Sequence, residues 1–165
     1  MANRYSKIAQ LKPSRCTIVT LLFAIVLVAA ASAQEKNPRL GKWKLKSDAP
    51  PPAINIMTYE PFGKGGMRVT VESKNAQGRE QKWTYTTMFD GKDEPVTGHP
   101  SADTTSVRKV DARTTEIVNK KAGKVLQIIT NVISEDGNTI NNTYQNFDAE
   151  GKPTRTTTAV YERIR

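Results

Sequence analysis

Apolar and polar residues alternate with a period of two along most of the chain from Gly41 onward. In the first such run Trp43 and Leu45 share one face, and Lys42 and Lys44 share the other. This period predicts β-strands buried on one face, because successive side chains of a strand point to opposite sides. Beyond residue 33, no stretch repeats apolar residues at helical spacing over three turns, so the pattern indicates an all-β protein.

Turn residues divide this pattern into nine or ten short strands. The strands assigned from the alternation cover residues 41–47, 54–60, 67–72, 82–89, 104–110, 114–120, 125–134, 139–147 and 154–164. The Asp-Gly pairs at 90–91 and 136–137 predict tight turns, because glycine accepts the positive φ that such turns need. Residues 95–100 form a longer polar connection.

The short connections determine how the strands are arranged. None is long enough for a crossover helix, so neighbouring strands are expected to be antiparallel. A meander of this length leaves two exposed edges unless it closes on itself. We therefore predict an up-and-down antiparallel β-barrel of eight to ten strands. A β-sandwich is the rival fold, although it normally requires longer Greek-key connections.

The first 33 residues differ in composition from the rest of the chain. Four basic residues and no acidic one accompany an apolar core at 17–31, and Ala31-Ser32-Ala33 has the small-x-small pattern of a cleavage site. We interpret 1–33 as a signal peptide cleaved near Ala33, followed by a lead-in at 34–40 and a barrel domain at 41–165. An uncleaved N-terminal anchor is the alternative, but the core is shorter than the ~20 apolar residues of a membrane span. Cleavage predicts a periplasmic or extracellular protein without a stable membrane anchor.

Cleavage would also change the charge and the cysteine content. The whole chain has a formal net charge of +9 and one cysteine, Cys16, whereas residues 34–165 keep 21 basic and 16 acidic residues and no cysteine. The predicted mature protein therefore has no disulfide, thiolate metal site or cysteine nucleophile. Its net charge of +5 is modest, and its aromatic run at 83–89 contains no Lys or Arg. Both features argue against a nucleic-acid partner.

Motifs along the meander resemble those of known barrel families. The Gly41-Lys-Trp-Lys-Leu45 opening resembles that of lipocalins and of fatty-acid-binding proteins. Residues 59–60 (YE), 89–98 (FDGKDEPVTG), 136–139 (DGNT) and 160–162 (VYE) resemble the pattern of a group of secreted, mostly uncharacterised bacterial lipocalin-like proteins. The resemblance implies a lipocalin-like, calycin-type barrel. It also implies that a basic residue of the last strand, Arg163, closes the barrel against Trp43, a favourable cation–π contact.

The chain differs from fatty-acid-binding proteins at the residues that would hold the carboxylate of the lipid. Fatty-acid-binding proteins use Arg-x-Tyr on the last strand, where this chain has Ala159-Val160-Tyr161. Arg155 is on the same predicted face as Ala159 and could substitute, with a solvated strand-end position as the alternative. The helix-turn-helix lid of those proteins has no counterpart between the first two strands. We therefore expect no buried cation, and an uncharged ligand that binds better than the matching fatty acid.

The sequence contains no recognisable catalytic constellation. His99 is the one possible imidazole base, and nothing around it marks a nucleophile, so we predict a solvated loop residue. One histidine without cysteine does not make a typical zinc site, and Asp90, Asp93 and Glu94 lack the spacing of a calcium loop. We predict a protein that is not an enzyme and uses no metal or cofactor.

The function then depends on the barrel interior. Trp83, Tyr85, Tyr144 and Tyr161, with Arg155, are the predicted ligand-binding residues. The other predicted inward residues are Trp43, Leu45, Met67, Val69, Val71, Phe89, Leu126, Ile128, Val132, Ile140 and Ala159.

Two functions follow from this interior. The first is a secreted or periplasmic, non-catalytic binding protein for a small, partly apolar or amphipathic molecule. The second is a barrel filled by its own side chains that acts as an envelope interaction or structural protein, its partner unidentified. A pocket of ~300 Å³ or more would favour the first function.

Overall fold

Ten β-strands joined by short connections make up residues 37–164, the part of the chain that the computed structural model describes. They are β1 (Gly41–Leu45), β2 (Ile54–Phe62), β3 (Gly66–Lys74), β4 (Glu80–Thr87), β5 (Asp90–Pro95), β6 (Thr104–Lys109), β7 (Thr114–Lys121), β8 (Lys124–Ile133), β9 (Thr139–Phe147) and β10 (Pro153–Ile164). This part of the chain has no helix, and therefore none that could cross a membrane. The predicted signal peptide at 1–33 lies outside the described residues and stays a prediction.

All ten strands belong to one antiparallel sheet in the order β4-β3-β2-β1-β10-β9-β8-β7-β6-β5. The first and last strands pair, with Trp43 opposite Arg163 and Leu45 opposite Tyr161. The sheet curls into a nearly closed barrel, which confirms the predicted up-and-down antiparallel fold.

A seam between β4 and β5 keeps the barrel from closing completely. Here the connection after β5 reaches back to β4, and Thr84 and Thr97 exchange backbone hydrogen bonds of 2.9 and 3.0 Å. Gly98 follows with a φ of +81°, and a Cβ at that position would overlap the carbonyl oxygen of Lys82. The close approach of these two backbones therefore requires glycine.

The prediction for residues 90–95 was wrong. A turn was expected at Asp90-Gly91, whereas Asp90 begins β5 and the chain reverses just before it, at Phe89, whose φ is +60°. Strand β5 lies at the edge of the sheet and is mostly exposed. A polar edge strand has no buried face, so it carries no apolar alternation by which it could be recognised.

The inward face assigned to β8 was also wrong. Leu126, Ile128 and Val132 were predicted to point inward, but Ile129 is the residue that lies opposite Ile117 and Tyr144 in the neighbouring strands. Directly opposed residues share a face, so Gln127, Ile129, Asn131 and Ile133 point into the barrel. Both faces of β8 contain Ile and Val, and the period of two therefore does not distinguish them.

Trp43 and Arg163 seal one end of the barrel, here called the floor. Trp43 is 0% exposed, and its Nε1 donates to the carbonyl of Arg39 at 2.8 Å. The guanidinium carbon of Arg163 lies 4.1 Å from the centre of the indole ring. Arg163 also donates to the carbonyls of Pro38, Leu40 and Gly137 at 2.6, 2.8 and 2.9 Å. These bonds tie the N-terminal lead-in to the last strand.

Arg39 contradicts the expectation that the barrel buries no cation. This residue of the predicted polar lead-in is 2% exposed and inserts at the floor. Its Nε donates to Oδ1 of Asn131 at 3.1 Å, and its Nη2 donates to the carbonyls of Arg113 and Asn131. Hydrogen bonds to neutral oxygens thus compensate for the loss of water around the guanidinium.

Candidate functional site

A cavity of about 220 Å³ lies inside the barrel above the floor. Its apolar lining residues are Met57, Tyr59, Val69, Val71, Trp83, Tyr85, Ile117, Ile129, Tyr144 and Tyr161. Its polar lining residues are Asn55, Ser73, Gln81, His99, Asn119, Gln127 and Asn142. Asn55, Ser73 and Gln81 also line a groove at the open end of the barrel, where the connection between β1 and β2 lies. The cavity and this outer groove therefore meet at these three residues.

Strand β4 contributes two stacked aromatic rings to the cavity. The rings of Trp83 and Tyr85 point to the same side of the strand, with centroids 6.0 Å apart and planes within 12° of each other. His99 contacts the indole of Trp83 edge-on, at a centroid distance of 4.9 Å and an angle of 65°. Two nearly parallel rings favour a flat ligand that stacks on them.

The β7–β8 side of the cavity combines Ile117 and Ile129 with amides that hydrogen-bond to one another. Asn119 Nδ2 donates to Oε1 of Gln127 at 3.2 Å, and Gln127 Nε2 donates to Oδ1 of Asn146 at 2.9 Å. Thr105 donates to Oδ1 of Asn119 at 2.8 Å. This side is therefore partly polar but uncharged.

A second hydrogen-bond chain connects the floor to the cavity. Arg39 Nε donates to Oδ1 of Asn131, and Nδ2 of Asn131 donates to Oδ1 of Asn142 at 2.8 Å. Asn142 Nδ2 then donates to the hydroxyl of Tyr144 at 3.0 Å. Every step donates in the same direction, away from the buried cation, and such chains polarise their members. The chain of hydrogen bonds ends at the Tyr144 hydroxyl, which lines the cavity.

The lining is electrically neutral at physiological pH. No Asp, Glu, Lys or Arg is among the described residues that line the cavity. Burial is the main cause that raises the pKa of the Tyr59, Tyr85 and Tyr161 hydroxyls, so these groups stay protonated. Within residues 37–164, no three His, Cys, Asp or Glu side chains cluster as metal ligands would.

His99 is not the solvated loop residue that the sequence analysis predicted. It is half-buried, lines the cavity, and has a pKa lowered by desolvation. Its Nδ1 accepts hydrogen bonds from the backbone amides of Ser101 and Ala102, at 3.1 and 2.9 Å. This arrangement requires the neutral ring with its proton on Nε2. Gly98 and the bridge at Thr97 place the ring over the seam, and a local sequence reading contains no signal for this.

The predicted ligand-binding residues fall into two groups. Trp83, Tyr85, Tyr144 and Tyr161 all line the cavity. Arg155 does not, because a register irregularity between Pro153 and Thr156 interrupts the alternation along β10. Its side chain is exposed, and its carbonyl accepts from Asn146 Nδ2 at 2.9 Å.

Several lining residues were missed by the sequence analysis. Met57 and Tyr59 alternate in β2 and could have been found from that period. Asn142 lies between the predicted inward residues Ile140 and Tyr144 and could also have been found in this way. The inward amides Asn119 and Gln127 could not, since a polar residue on the inner face looks like one on the outer face. The cavity is also smaller than the ~300 Å³ that the sequence analysis set as support for a binding protein. Its 220 Å³ equals the liquid volume of about seven water molecules, which suits a small ligand.

Comparison with solved structures finds other proteins with this fold. The fluorescent protein UnaG matches with a TM-score of 0.51 and 14% sequence identity, over 76% of this chain and 96% of that one. A mutant of UnaG matches with a TM-score of 0.50 and 14% identity, over 76% and 95% of the two chains. At this identity the likeness shows the fold alone, an antiparallel β-barrel. No protein-family model and no curated protein matches the sequence.

Proposed function

We propose that this protein is a secreted or periplasmic binding protein for a small, uncharged, partly apolar molecule, and that it is not an enzyme. The observation that carries the proposal is the neutral cavity inside the barrel, whose lining combines aromatic and aliphatic side chains with a few polar ones. Such a lining binds an apolar skeleton and orients it through a few polar groups.

The lining also argues against a fatty acid as the ligand. A carboxylate that enters the cavity loses its hydration, and the lining offers no cation in return. Arg39 is not among the lining residues, and its Nε and Nη2 donate to Asn131 and to the carbonyl of Arg113. Arg155 is exposed on the outside.

A barrel that works through its outer surface is the second candidate. The limited cavity volume favours it, because small barrels are often filled by their own side chains. In that case the aromatic residues would serve packing, and an envelope partner would bind outside.

Native mass spectrometry of the protein purified from its own source tests the proposal. We expect a mass that begins at Gln34, together with a population that carries one additional small molecule. A mass that includes residues 1–33 would contradict cleavage and with it the secreted location. A mature protein that never carries an added mass, even after gentle extraction, would favour the filled barrel.

A further inference from the structure

Asn55 differs from the other buried amides of the interior. Its Oδ1 is fully buried, yet no group among residues 37–164 donates a hydrogen bond to it. It is the one buried side-chain nitrogen or oxygen of the described chain without a partner. Asn119, Gln127 and Asn142, across the cavity, all take part in amide chains.

An unpaired buried acceptor lowers the stability of the folded protein, and a β-strand does not require an asparagine at this position. On folding, such a group loses its hydrogen bonds to water and gains none from the protein. Asn55 lies opposite Ser73 in the β2–β3 pair, at the place where the cavity and the outer groove meet. Because Asn55 lines both spaces, a turn of its side-chain amide can bring this oxygen to a donor on a molecule that enters from the groove.

We infer that Asn55 is the specificity-determining acceptor of the cavity, and that the ligand is a small, flat, uncharged molecule with an N–H or O–H donor. The inference rests on the proposed binding function and deepens it. Flatness follows from the nearly parallel rings of Trp83 and Tyr85. Neutrality follows from the uncharged lining. The donor follows from the Oδ1 of Asn55, whose bond the ligand completes.

Two flat probes of equal size isolate the hydrogen bond. Indole carries an N–H donor, and benzofuran places an ether oxygen at the same position of the same ring system. Calorimetric titration of the protein should show indole bound about tenfold more tightly than benzofuran, because the difference reports one hydrogen bond to an otherwise unpaired buried acceptor. In Asn55→Leu, which keeps the approximate size of the side chain, the preference should disappear. Benzofuran should bind to this variant at least as tightly as to the wild type.

Thr58→Ala is the matched control, because it removes a polar group from the outer face of the same strand, outside the cavity lining, and leaves the acceptor in place. This variant should keep the preference for indole. Equal binding of the two probes by the wild type, or a preference that survives in Asn55→Leu, would overturn the inference and leave the binding function intact. Failure of both probes to bind would instead overturn the binding function, and the inference with it.

Discussion

Each end of the barrel contains one of the chain's two tryptophans, and the two are used differently. Trp43 at the floor is 0% exposed, its Nε1 is hydrogen-bonded, and Arg163 covers its ring. Trp83 is half-buried, faces a cavity, and contacts His99 edge-on. The floor is packed for stability, and the cavity end has the open space, the unpaired acceptor and the titratable side chain that recognition can use.

We expect the largest effect when each tryptophan is replaced by alanine and the losses of stability are compared. Trp43→Ala should lower the free energy of unfolding by ~3–5 kcal/mol, since it leaves a void in packed surroundings and frees the carbonyl of Arg39. Trp83→Ala should cost only about 1–2 kcal/mol, because less of its surface is buried and a cavity already adjoins it. Urea denaturation of both variants is the measurement. Equal losses would mean that the two ends do not differ in packing.

A smaller effect is expected from pH at the cavity end. In the folded protein desolvation lowers the pKa of His99 from its ordinary value of 6.5, and Nδ1 accepts from two backbone amides. A lowered pKa stabilises the folded state above pH 6.5, and this contribution is lost as the pH falls from 6.5 through the folded value. The connection that bridges Thr97 to Thr84 should then loosen. Hydrogen-exchange protection of these two amides should fall below pH 6.5, while amides of the β1–β10 pair keep theirs.

His99→Asn separates protonation from simple loss of the ring. The Oδ1 of asparagine can accept from the amides of Ser101 and Ala102 but does not titrate in this range. In this variant the hydrogen-exchange protection of the Thr84 and Thr97 amides should therefore not change between pH 7 and pH 5. A fall in protection equal to that of the wild type would show that another group controls the seam.

Most of the fold could be predicted from the sequence, because strand alternation and turn residues are local signals. Nine of the ten strands carry an apolar face or a clear turn, and the pairing of Trp43 with Arg163 followed from a motif at each end. Strand β5 was missed because an exposed edge strand has no apolar face. The inner face of β8 was assigned wrongly because Ile128 and Ile129 are equally apolar.

The site was less accessible to sequence reasoning than the fold. The four aromatic residues were found because a large ring on the inward face of a strand must lie in the interior of the barrel. Asn55, Asn131 and Asn142 were not, since their roles depend on which side chains of other strands reach them in the folded barrel, and for the Oδ1 of Asn55 none does. Arg39 was treated as part of a polar lead-in, and only the folded barrel brings its guanidinium to Asn131, 92 residues along the chain.

The central claim, that a small neutral molecule enters the cavity, is tested most directly by the methyl groups of adjacent isoleucines. Ile129 and Ile117 line the cavity, whereas Ile128 is next to Ile129 on the other face of β8. Titration with indole, followed by methyl NMR, should shift Ile129 and Ile117 saturably and leave Ile128 unchanged. A fatty acid with the same number of carbon atoms should shift them less at equal concentration. Shifts confined to Ile128 and its outer neighbours, or no saturable shift at all, would contradict the account.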